Sequence, residues 1–164
     1  MKGLAIILLC GLRLVAQDRV SCPMHKDAQT HRAGVEEHGD MAMCFPHDKT
    51  THHFRLTQSG GAIEVTVNDA KDTQNLDAIR MHLKHVAAMF ADGNFSIPMF
   101  VHSQTPPGVA EMRDRRFDIA YKFEELPTGA IVRIATANHD ALNAIHDFLI
   151  FQIRDHQTGD PEQP

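Results

Sequence analysis

The sequence predicts an α+β domain: two duplicated ββα units forming one four-stranded antiparallel sheet, with two helices on one face. Three observations carry that reading. Short alternating segments occur in pairs around glycine-containing turns, and an amphipathic stretch of helical period follows each pair. The second half also lies over the first: Ile79-Arg-Met-His-Leu83 matches Ile145-His-Asp-Phe-Leu149, and Gly93 then falls on Gly159. A lone hairpin is marginal in water, so two units are expected to pool their apolar faces about a pseudo-two-fold axis.

Taken in order, the chain opens Met1-Lys2-Gly3, continues with a short apolar run over 4–12, and reaches the small residue Ala16. This reads as a signal peptide over 1–16, and it places the protein in the periplasm or outside the cell. The run is too short to span a bilayer, and Arg13 shortens it further. A competing reading makes Cys10 a lipoprotein cysteine, although Leu9 stands where a small residue is expected. Residues 17–51 read as a flexible arm rich in His, Met and Cys, without apolar periodicity.

The duplicated domain is expected over 52–158. In its first unit, 52–94, residues 52–57 and 62–67 alternate around Ser59-Gly-Gly61, and a helix over about 73–91 buries Leu76, Ile79, Leu83, Val86 and Phe90. Residues 95–116, with Ile97-Pro98 and Thr105-Pro-Pro-Gly108, read as an ordered irregular crossover with a helical turn near 110–113. In the second unit, 117–158, residues 117–123 and 130–135 alternate around Leu126-Pro-Thr-Gly129, and Asn138 is a suitable N-cap for a helix over about 139–156. Its wide apolar arc, Phe148-Leu-Ile-Phe-Gln-Ile153, fits either the more central helix or a homodimer contact. The tail 159–164 is expected to fray.

The formal net charge of −5 argues against a nucleic-acid partner, and no second apolar segment is long enough for a membrane span. Removal of 1–16 leaves about 148 residues, enough for one domain with a core. No nucleophile elbow, phosphate-binding glycine loop, dinucleotide fingerprint or covalent-haem motif occurs.

Donor atoms are the main functional signal. Eleven of the 32 residues from Cys22 to His53 are Cys, Met or His. Thiolate, thioether and imidazole suit copper or zinc ions rather than hard cations. Cys22 and Cys44 either form a disulfide closing a loop of about twenty residues, worth roughly 3 kcal/mol, or act as two thiolate ligands. His47 is a further candidate in the arm, and His52 shares the inward face of its strand with Phe54 and Leu56.

The first helix carries His82-x-x-His85-x-x-x-Met89, which falls within about 60° of arc. His102, from the crossover, would complete a site begun by His82 and His85, and the competing reading leaves these as packing or surface histidines. His156 reads as a structural last-turn histidine favoured by the helix dipole.

Cys22-Pro-Met-His25 resembles the core of small heavy-metal-binding segments in copper and silver efflux proteins; that resemblance implies Cys22, Met24 and His25 as ligands. Asp48-Lys-Thr-Thr-His-His-Phe54, Ile79-Arg-Met-His-Leu-Lys-His85 and Ile145-His-Asp-Phe-Leu149 resemble a family of short secreted bacterial proteins without established function. Some of its members are labelled aspartate carbamoyltransferase, which this chain does not support, because it is half the expected length and lacks the Ser-Thr-Arg-Thr phosphate motif.

The sequence therefore points to a secreted or periplasmic copper-class metal-binding protein for sequestration or delivery. Its alternatives are a metal-dependent enzyme using His82, His85 and His102, and a metal-free binding or oligomerisation module.

Overall fold

The computed structural model describes residues 23–164, with side chains from Thr30 onward. It contains β1 (Thr50–Thr57), β2 (Gly60–Val67), β3 (Ile119–Leu126) and β4 (Gly129–Thr136), together with α1 (Pro23–Met43), α2 (Thr73–Ala91), α3 (Ser96–His102), α4 (Val109–Asp114) and α5 (His139–His156). The strands form one antiparallel sheet in the order β1-β2-β4-β3, so the α+β class and the duplicated hairpins hold.

Each strand of the second unit follows its counterpart by 69 residues, as Thr50 to Ile119 and Gly60 to Gly129 show, whereas the helices α2 and α5 start 66 residues apart. That register aligns Phe54 with Phe123 and Ile63 with Val132, which pair across the sheet. Ile131 belongs to the face opposite the helices, where it pairs across from Glu64 and Glu124.

The units interlock. Helix α2 packs mainly over β3 and β4, and α5 lies over β1 and β2, so each helix covers the other unit's hairpin. Phe90 of α2 meets Phe148 of α5 edge-on at 5.9 Å above the sheet. Buried Ile79, Leu83, Val86 and Phe90 fill one side, and buried Ile145, Phe148, Leu149 and Ile153 the other. The apolar arc of α5 is thus used inside the chain, as the more central helix requires. Gly61 lets α5 approach closely, because a Cβ there would collide with Leu149 and with the Arg55 carbonyl.

Local signals set the helix starts. Asn138 accepts hydrogen bonds from the Asp140 and Ala141 amides, as the sequence predicts, and Asp72 caps α2 through Asn75. The crossover is more regular than expected: it holds α3 as well as α4. Pro98 lies within the first turn of α3, where its missing N–H has no helical acceptor to lose.

Residues 23–43 form helix α1 rather than a flexible arm. The segment is rich in helix formers such as Ala33, Glu36, Glu37 and Ala42, and it gains tertiary contacts that its polar pattern does not advertise. Val35 is buried, His31 Nε2 lies 2.9 Å from Asp155, and Arg32 donates to Gln157 at 2.9 Å. The tail is tied down too. Asp160 accepts from the Phe54 amide at 2.9 Å and sits 2.8 Å from His53 Nδ1, which satisfies part of the exposed edge of β1.

Candidate functional site

Period-two alternation aims His52, Phe54 and Leu56 from β1 at the helices. Helix α5 crosses that strand and ends on His156, whose ring stacks on Phe54 at 5.5 Å and lies parallel to His52 at 6.1 Å, with 5° between the planes. Helix α1 ends on Met43, whose Sδ is 3.3 Å from His52 Nε2. His82 enters from α2, edge-on to buried Phe45 at 5.7 Å. His102, the last residue of α3, packs edge-on to His156 at 5.0 Å. Four histidines and a thioether from five elements therefore surround one place.

That place is an inner cavity of about 80 Å³, lined by these five donors and by apolar side chains of the sheet, α2, α3 and α5. A more polar mouth of about 230 Å³ adjoins it, lined by Arg32, Glu36, His47, Thr51 and Asp155 among others. Gly39, Met43, His52 and His156 line both and form the boundary between them.

Burial controls the charge here. It holds the His52 imidazole down to about 4, assisted by His82, His47 and His53. His82 is also lowered to about 4, by burial and then by His85. His156 falls to about 3 through burial, His102 and His52, against the opposing pull of Asp155. All three rings are neutral at pH 7, so each keeps one nitrogen lone pair.

His102 plays a different part. It is 2% exposed, with Nδ1 2.5 Å from Asp155 Oδ2 and Nε2 2.9 Å from Gln152 Oε1. Both ring nitrogens are engaged, so this residue braces the wall beside His156 instead of offering a free donor. Burial raises the Asp155 carboxyl, but hydrogen bonds from His31 and His102 outweigh it and leave the group below the ordinary carboxylate range.

The sequence-predicted residues thus divide. His52, His82 and His102 meet at the cavity. His85, one turn from His82, is exposed and does not line the cavity, because the burial boundary of α2 falls between the two residues. His47 is exposed at the mouth, 3.1 Å from Asp40 Oδ1. Cys44 is exposed and follows α1 at φ 61°. Its prospective partner Cys22 lies outside the described residues, while Met24 and His25 belong to α1 by their backbone alone. Among the described residues, no three His, Cys, Asp or Glu side chains are placed together to hold a metal ion, and no helix is long and apolar enough to cross a membrane.

Met43, Gln152 and His156 were the residues that sequence reasoning undervalued. His156 falls on the line of Ile145, Leu149 and Gln152, and that shared stripe was the available sign of its inward position. Only α1 docking brings Met43 to His52, and nothing local announces that contact. No family model matches the chain, and no curated protein or solved structure matches it.

Proposed function

We propose that the protein binds a soft metal ion, copper as Cu(I) in preference to Zn(II), at Met43, His52 and His156, and that it sequesters or delivers that ion in the periplasm or outside the cell. The carrying observation is the 3.3 Å approach of Met43 Sδ to His52 Nε2 beside the parallel ring of His156. Two donors held by one tetrahedral ion, nitrogen at about 2.0 Å and sulfur at about 2.3 Å, stand roughly 3.5 Å apart. The pair is close to that bite already. Two imidazoles sharing a tetrahedral ion have ring centroids about 5 Å apart, so His156, at 6.1 Å, has to move in by about 1 Å to join the pair.

Charge supports the monovalent ion. The described lining of the inner cavity includes no carboxylate and its three lowered imidazoles are neutral, while Glu36 and Asp155 stand in the mouth that Met43, His52 and His156 border. A divalent ion with only neutral ligands would leave more charge unbalanced in an apolar surround. His82 lines the same cavity without being needed in the donor set, while exposed Cys44 and His47 offer outer donors for transfer. The signal-peptide reading and the Cys22-Pro-Met-His25 resemblance favour the same assignment.

Native mass spectrometry of the reduced mature protein, with one equivalent of Cu(I) or Zn(II), tests this. One retained copper ion is expected, lost in the double variant His52→Ala/His156→Ala. Retention of copper by that variant, or no retention by the parent protein, overturns the assignment.

A further inference from the structure

We propose that the outer edge of β3 pairs antiparallel with β3 of a second copy of this chain, joining the two sheets in a closed dimer. This goes beyond the metal reading and shares no residue with it. Leu126 and Gly129 are opposite each other across a two-residue turn, so they exchange backbone hydrogen bonds. By alternation Glu124, Lys122 and Ala120 also bond to β4. The N–H and C=O groups of Ile119, Tyr121, Phe123 and Glu125 therefore point away from the sheet.

The duplication supplies a comparison. Phe123 corresponds to Phe54 of β1, whose amide points outward in the same way and is taken by Asp160 at 2.9 Å. Among the described residues nothing takes the Phe123 amide, and Arg80 reaches only the end of this edge, at the Leu126 carbonyl. No proline or bulge blunts the strand, which keeps unbroken register with β4 from Ile119 to Leu126. Since Asp160 occupies the opposite edge of the sheet, growth stops at two copies.

Side chains choose the register. On the face away from the helices β3 reads Ala120, Lys122, Glu124, Leu126. A two-fold axis at Phe123 sets Lys122 opposite the partner's Glu124, and Ala120 opposite the partner's Leu126, each twice. Sliding the strands by two residues either way sets Lys122 against its own copy, or Glu124 against its own, which is unfavourable. The apolar ends fit the same register. Phe117 is 85% exposed and lines a surface recess with Ala120 and Ala135, where the partner's Leu126 would pack.

Sedimentation of the metal-free, reduced mature protein from low to high micromolar concentration should show a monomer–dimer equilibrium. Lys122→Glu or Glu124→Lys alone places like charges opposite each other twice, and each should weaken dimerisation by about tenfold. An equimolar mixture of the two variants restores both opposite-charge pairs and should recover association. A parent protein that stays monomeric, a dimer insensitive to either substitution, or a mixture that does not recover would overturn the proposal. Glu124→Lys also loses an ion pair with Arg133. Should it fail to fold, amide exchange in the parent protein decides: Tyr121, Phe123 and Glu125 must slow as concentration rises, while Phe54, capped within the chain, must not. No metal enters this test, so its outcome is independent of the copper reading.

Discussion

Acidifying the metal-free protein from pH 7 to pH 5 should remove a large part of its stability. His52, His82 and His156 are held to about 4, about 4 and about 3 in the folded state. In the unfolded chain they titrate near their reference value of ~6.5. A lowered folded value means that the unfolded state takes up protons first. The stability that depends on neutral rings is therefore fully present above about pH 6.5 and is lost as pH falls towards about 4.

At pH 5 each ring has lost about 2 kcal/mol, from roughly 1.5 units at about 1.4 kcal/mol per unit. Two rings alone give about 4 kcal/mol, against a typical total of about 5–15 kcal/mol. With a urea dependence near 2 kcal/mol/M, the midpoint should fall by roughly 2 M. Asp155 and Asp160, whose values are lowered below the carboxylate range, add losses only below about pH 4, outside this window. The chain has no Trp and one Tyr, so far-UV circular dichroism is the suitable probe. A midpoint that is unchanged or higher at pH 5 would refute the claim that these partly buried imidazoles are held neutral.

Replacing Met43 with Leu should leave stability within about 1.5 kcal/mol, as a volume-conserving exchange, yet lower Cu(I) affinity by more than about tenfold in a competition assay with a chromogenic chelator. His85→Ala should leave that affinity unchanged, since its ring faces solvent. Gly61→Ala should cost about 1–3 kcal/mol in urea unfolding, because a Cβ there displaces Leu149 and crowds the Arg55 carbonyl. Asp155→Asn weakens its contacts to His31 and His102 together and should cost about 1–3 kcal/mol, with faster hydrogen exchange in α1.

The architecture was readable because its signals are local. Alternation around Gly60-Gly61 and Gly129, the Asn138 cap and the 3.6-residue stripe of Ile79, Leu83, Val86 and Phe90 each act within a few residues. Exchange of helices between the two hairpins was not readable, since both pairings bury the same stripe. Helix α1 was missed because it is held by polar ties such as His31–Asp155 and Arg32–Gln157, which leave no apolar period.

At the site, strand alternation pointed His52 inward correctly. His82 and His85 looked equivalent in sequence, and only the edge of the buried face separates them. The helix dipole explained His156 well enough to hide its second property, the stacking against His52.

X-ray absorption at the copper edge of the Cu(I)-loaded protein tests the donor set most directly. One sulfur at about 2.3 Å and two imidazole nitrogens at about 2.0 Å are expected, with the sulfur signal absent in Met43→Leu. A shell of nitrogen and oxygen alone, or a sulfur signal that survives Met43→Leu, would contradict it.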